Sequence, residues 1–186
     1  MPHDGGVTLP QLGGLTSLPV LDHPDLLGPS VAAALASWPH AGEIAVVAID
    51  PDLADTAAMS AAYDLPLDTG ANCVVVSGRR EGEERVAACV VRADTRADVN
   101  SLVKRLLDVR KCSFLAMDRA VEESGMEYGG ITPVGLPPQW RLLVDSRVLD
   151  VPVTVLGSGV RRSKLLVPGR LIGELPGAEV VEGLAR

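Results

Sequence analysis

Ser124-Gly125-Met126-Glu127-Tyr128-Gly129-Gly130-Ile131-Thr132-Pro133-Val134-Gly135-Leu136-Pro137 sets four glycines and two prolines between two segments that read as regular structure. Glycine reaches dihedrals closed to other residues and lets a ligand approach the main chain. Proline fixes its own φ and removes a competing N–H donor. Gly129-Gly130 followed by Pro133 therefore reads as a loop whose amides and carbonyls line a pocket, with a wide surface turn as the alternative that composition leaves open. Before it, residues 118–124 read as a short helix ended by Gly125. After it, Arg141–Asp145 reads as an apolar strand.

Further out, residues 43–49 have the continuous apolar character of a buried strand, and 72–77 and 85–92 read as two strands joined by the charged loop 78–84. Val99, Leu102, Val103, Leu106 and Leu107 recur at helical spacing behind Asp94 and Thr95, either of which suits a helix start. Asp50 and Pro51 open a helix over 51–63, and Ser30 caps one over 31–38. Strands are expected at 112–116, 151–156, 163–167 and 179–182, with a last helix over 169–175 behind Pro168. Strand pairs adjacent in sequence break the alternation of a doubly wound fold, so an α+β domain with a mixed sheet is expected. Residues 1–20, rich in Gly, Pro, Leu and Thr without a period, read as an N-terminal tail or arm, and 21–186 as one domain.

A chain of 186 residues with 47% hydrophobic content can bury a core. With one Phe, two Tyr and two Trp, that core is aliphatic, and an aromatic platform for single-stranded nucleic acid is disfavoured. A net charge of −7 argues against a general nucleic-acid binder. Two local basic clusters stand out. Arg79, Arg80 and Arg85 are nearly neutralised by Glu81, Glu83 and Glu84, whereas Arg161, Arg162 and Lys164 follow the turn Gly157-Ser158-Gly159, whose amides suit an anion nest. Cys73, Cys89 and Cys112 are odd in number and set in apolar segments, unlike a disulfide framework or a zinc site. His3, His23 and His40 all precede the strand at 43–49, so no Ser-His-Asp or Cys-His set is in view. The first twenty residues lack a basic region followed by a continuous apolar one, and no run approaches a membrane span, so a soluble cytoplasmic protein is expected.

Gly129-Gly130-Ile131-Thr132-Pro133-Val134-Gly135, with a helix before it and Leu142-Leu143-Val144-Asp145 after it, resembles the signature loop of the YbaK and prolyl-tRNA synthetase-associated domain family. The resemblance runs from residue 41 to the C-terminus and takes in Val155-Leu156-Gly157-Ser158-Gly159. It implies a curved mixed β-sheet with helices around it. It also implies an aminoacyl-tRNA deacylase, acting in trans or inside a synthetase, that clears mischarged tRNA by ester hydrolysis. The expected partners are the 3′ end of mischarged aminoacyl-tRNA, an aminoacyl-tRNA synthetase and a second copy of the chain; no membrane, metal or cofactor is expected. In such proteins the loop's amides and the substrate's own ribose hydroxyl stand in for a protein base.

Catalytic members of that family carry a lysine at the start of an apolar strand, and the corresponding place here reads Gly70-Ala71-Asn72-Cys73-Val74, with Asn72 at the lysine's position. A carboxamide offers neutral donors where an ammonium offers a charge, and charge-assisted bonds are about twice as strong. Two readings follow: a trans-acting editing hydrolase, or a catalytically silent module that binds aminoacyl-tRNA or a small ligand. The expected catalytic group is Asn72, Gly129 and Gly130. Ile131, Thr132, Pro133, Gly135, Asp145, Gly157, Ser158 and Gly159 are expected at the substrate, and Arg161, Arg162 and Lys164 on tRNA phosphates.

Overall fold

Runs of Val, Leu and Ala build strands that are covered on both faces. In a computed structural model that describes residues 8–186, nine strands divide between two sheets. They are β1 (Leu18–Pro19), β2 (Ala45–Ala48), β3 (Ala71–Arg80), β4 (Glu83–Arg92), β5 (Cys112–Phe114), β6 (Arg141–Asp145), β7 (Thr154–Gly157), β8 (Ser163–Val167) and β9 (Ala178–Val181). The first sheet is antiparallel, in the order β1-β2-β8-β7. The second, β5-β3-β4-β6-β9, is mixed, with β6 parallel to both β4 and β9. A parallel bridge between Gly70 and Val155 joins the two. The α+β class with a mixed sheet is as expected, and its strands are shared between two sheets.

The helices are α1 (Pro29–Ser37), α2 (Thr56–Tyr63), α3 (Lys104–Leu106), α4 (Met117–Ser124) and α5 (Gly169–Ile172). Side chains alternate along each strand. Val46, Val90, Val144, Leu156, Leu165 and Val167 thus face a common core with Val31 and Leu35 of α1. Their neighbours Cys89, Val91 and Leu143 meet Val99, Val103 and Leu107 on the far side of the second sheet. Ala45, Val47 and Leu166 meet Met59 and Leu65 on the far side of the first. A strand buried on both faces has no polar alternation to show, which is why 45–48 reads as one apolar run.

Local chemistry moves several boundaries. Pro29 occupies the first turn of α1 behind Gly28, and the Ser30 hydroxyl makes no capping bond. The helix expected over 51–63 is two pieces because two aspartates cap in close succession. Asp50 accepts from Asp52 N at 3.0 Å and starts a single 3₁₀ turn, and Asp55 accepts from Ala57 N at 3.0 Å and starts α2. The strands on either side of the expected 78–84 loop continue to Arg80 and Glu83, since Glu81 and Gly82, at φ 54° and 87°, make a two-residue turn. Helical winding before α3 begins at Val99, as a π-helix, because the C-terminal tail captures the preceding backbone: Arg96 N donates to Arg186 O and Asp98 N to Leu184 O, each at 2.9 Å. Of the expected N-terminal arm, residues 1–7 lie outside the described residues; further along, Leu15 is buried against Ala45 and Val47, and β1 pairs with β2. Among the described residues no helix is long and apolar enough to cross a membrane.

Candidate functional site

Where the two sheets meet, the start of β3, the end of β7 and the glycine loop surround a cavity of about 290 Å³. Asn72 and Cys73 line it from β3, Val155 and Gly157 from β7, Lys164 from β8, and Thr56, Met59 and Ser60 from α2; Asp55, Gly70, Met117, Tyr128, Gly129 and Ile131 are among the other residues of the wall. Of the residues expected at a site, the structure therefore brings together Asn72, Gly129, Ile131, Gly157 and Lys164.

Alternation along β8 sends Leu165 and Val167 into the common core and leaves Lys164, with Leu166, on the side of α2. Lys164 is only 8% exposed, and its Nζ donates to the carbonyl of Gly129 at 3.1 Å. Burial lowers its pKa to about 8; the Arg161 charge adds to the shift and Asp55 opposes it. The ammonium thus stands in the cavity wall, bonded to the glycine loop. Opposite it in the β7–β8 ladder stands Gly157. A Cβ there would come within 2.5 Å of Gly130 O and 2.6 Å of Ile131 O, so the bare backbone of β7 is what lets the glycine loop lie down beside the lysine.

Asn72 accepts a hydrogen bond from Thr56 Oγ1 at 3.3 Å through its Oδ1, which directs the two Nδ2 donors to other partners. Gly130, expected beside Gly129, is taken up by loop-to-loop contact: its N–H donates to Glu127 O at 2.9 Å and its carbonyl accepts from Gly159 N at 2.8 Å. Arg161 is bound to backbone as well, with Nη1 on Tyr128 O at 3.2 Å and Nη2 on Pro51 O at 3.0 Å, and Arg162 donates to Asp25 O. Ser158 is buried and donates to Ser163 O at 2.9 Å. Thr132 is buried too, while Pro133 and Gly135 line a separate apolar cavity of about 390 Å³ with Trp38 and Trp140.

Asp145 sits at the end of β6, outside both linings. Its carboxylate accepts from Ala185 N at 2.8 Å and Arg147 N at 3.0 Å and pairs with the Arg147 guanidinium. Burial works to raise its pKa, but Arg147 and the two N–H groups outweigh it and the net shift is downward. Asp145→Ala is expected to cost about 2–3 kcal/mol in urea unfolding at pH 7, the scale of a charged hydrogen bond. With the folded pKa lowered, that stability is complete above the unfolded value of about 3.9 and is lost as pH falls through the folded one, so the variant and wild type converge in acid.

Burial raises the pKa of Cys73, and that of Cys89 to about 12, so both remain thiols at neutral pH and the cavity holds no thiolate nucleophile from Cys73. Among the described residues no three His, Cys, Asp or Glu side chains converge as metal ligands would. Asp55, Thr56, Cys73 and Tyr128 are among the lining residues that had not stood among the candidates. Thr56 meets Asn72 through a contact 16 residues apart that no local pattern announces. For Lys164 the signal was present: a lysine inside an apolar strand is buried only where something needs it.

Residues 50–173 match the aminoacyl-tRNA editing domain. Among solved structures, the hypothetical protein APE2540 is 25% identical, with 76% of this chain and 90% of that one covered at a TM-score of 0.66. A candidate trans-editing enzyme for prolyl tRNA synthetase is 21% identical, with 84% and 97% covered at a TM-score of 0.70. A scaffold protein used for epitope backbone grafting is 20% identical with the same coverage and a TM-score of 0.70. No curated protein matches the chain significantly. Because the matched region runs from the turn before α2 to the end of α5, well over half of the chain, the protein belongs to the aminoacyl-tRNA editing domain family.

Proposed function

We propose that this chain is a trans-acting deacylase that hydrolyses the ester of tRNA mischarged with a small amino acid. The observation that carries this reading is the buried Lys164 ammonium beside Gly129, in the same cavity as Asn72. A cation held out of water acts strongly on a developing negative charge, and here it needs no rearrangement to do so. In the proposed step a water oxygen adds to the ester carbonyl carbon while Lys164 and the Asn72 Nδ2 donors face the carbonyl oxygen. The bond to the ribose oxygen then breaks, and that oxygen takes up a proton. No histidine lines the cavity, and the carboxylate in its wall, Asp55, caps α2 by accepting from Ala57 N, so proton transfer is assigned to water and to the ribose hydroxyl next to the ester.

The cavity, at about 290 Å³, is at the small end of ligand sites, which suits a short acyl side chain and excludes a long one. Editing at a second site is the physical remedy for such substrates, since a missing methylene or added hydroxyl changes binding by only about 10- to 200-fold. The likeness in fold to a candidate trans-editing enzyme for prolyl tRNA synthetase supports tRNA(Pro) as the carrier to test first. Asn72 at the family's lysine position favours the second reading, a silent binding module. Single-turnover assays on tRNA(Pro) carrying alanine or cysteine separate the two. We expect hydrolysis at least about 100-fold faster than in buffer. Tight binding with no loss of the ester establishes the silent module.

A further inference from the structure

Tyr128 stands out against the scarcity of aromatic residues in this chain. The sequence holds one Phe, two Tyr and two Trp, and of these Tyr128 borders the cavity, 59% exposed. An aromatic ring left in water forgoes a large burial gain, and this one is held in place. The Arg161 guanidinium lies over the ring, 5.9 Å from its centroid, and is pinned by the carbonyls of Tyr128 and Pro51. Arg161 N donates to the Glu127 carboxylate at 2.7 Å, which fixes the backbone beneath it. The ring is thus backed by an anchored cation and offers its remaining surface to solvent. One residue on, the carbonyl of Gly129 meets Lys164 Nζ, so the ring and the cavity's ammonium are separated by a single backbone unit.

We propose that Tyr128 is the seat of the terminal adenine, the base of the 3′ adenosine stacking on its open face while the aminoacyl ester enters the cavity beside Gly129 and Lys164. The proposal rests on the aminoacyl-tRNA reading above. The nucleoside that bears the ester is adenosine in every tRNA, so this seat is indifferent to tRNA identity and leaves discrimination to the acyl cavity. The neighbouring Arg161 supplies positive charge near the adenosine phosphate, where the overall charge of −7 would otherwise repel it.

The test is equilibrium binding of 3′-alanylamino-3′-deoxyadenosine, an amide that resists hydrolysis, and of the corresponding alanylamino-ribose without the base. Tyr128→Phe should bind the adenosine probe as wild type does. Tyr128→Ala and Tyr128→Leu should weaken it by about 5- to 150-fold, the range for loss of one base–aromatic stack. Because Tyr128 also borders the acyl cavity, the base-free probe should lose some affinity in Tyr128→Ala and Tyr128→Leu, but severalfold less than the adenosine probe. The exposure of the ring leaves folding unaffected, which thermal melts of each variant check. Equal loss for both probes, unchanged binding by Tyr128→Ala, or no binding by wild type overturns the proposal. Hydrolysis is not read in this experiment, so a chain that binds adenine through Tyr128 yet never cleaves an ester defeats only the deacylase reading. A working deacylase indifferent to Tyr128→Ala defeats only the stacking seat.

Discussion

Lys164→Met is expected to lower single-turnover deacylation about 100- to 1000-fold while leaving the protein more stable than wild type at pH 7. The rate loss is the scale of removing one preorganised donor to a developing oxyanion. The stability gain follows from the cost of burying an ammonium. Its pKa of about 8 against the ordinary lysine value of 10.5 corresponds to about 3 kcal/mol, an upper bound on what methionine recovers. With the folded pKa below the unfolded one, the folded state holds fewer protons between about 8 and 10.5. Wild-type stability therefore rises with pH across that window, and the advantage of Lys164→Met shrinks there. Activity runs the other way: the rate should be level below pH 8 and fall as the ammonium is lost above it, whereas the variant's low rate should not. Urea unfolding and rates between pH 7 and 10 measure both, and a variant with wild-type turnover would remove Lys164 from the chemistry.

The second large effect is steric. Gly157→Ala places a methyl within 2.6 Å of two carbonyl oxygens of the glycine loop, and neither is a flexible side-chain tip. Either β7 or the loop must shift, at a cost of about 2–3 kcal/mol. The shift also parts Gly129 from Lys164, so deacylation should drop by at least about tenfold even where the protein remains folded. Gly42→Ala is the control: nothing lies within 4 Å of its Cβ and its φ is ordinary, so its stability should stay within about 0.5 kcal/mol of wild type. Equal melting temperatures for Gly157→Ala and Gly42→Ala would show that the loop yields freely.

The elements legible from sequence are those with purely local causes. The apolar triplets Leu142–Val144 and Leu165–Val167, each next to charged or turn residues, place β6 and β8, and Gly125, at φ 67°, ends α4 where a left-handed residue is needed. The less legible ones depend on distant partners. Helical periodicity before α3 is real, yet the tail at Leu184 and Arg186 takes the backbone of Asp98 and Arg96 first. The glycine loop was readable as a feature, but not which glycine faces what: Gly129 borders the cavity while Gly130 serves the contact with Val160. Arg161, Arg162 and Lys164 read as one basic cluster, and strand alternation with local carbonyls separates them.

On the proposed reading, the bridge between Gly70 and Val155 bears on which acyl groups the cavity admits. Asn72 and Cys73 belong to one sheet, Gly157 and Lys164 to the other, so the cavity's opposing walls are carried by two sheets that meet at this bridge. The width between them is an angle before it is a set of side chains. A Cβ on Gly70, which itself lines the cavity, would press at 3.2 Å on both Thr56 and Ala93, so a substitution at this seam displaces Thr56 by a few tenths of an ångström. On the reading of this space as an acyl pocket, its size limit then depends on how the two sheets fit at the seam as well as on the side chains that face it.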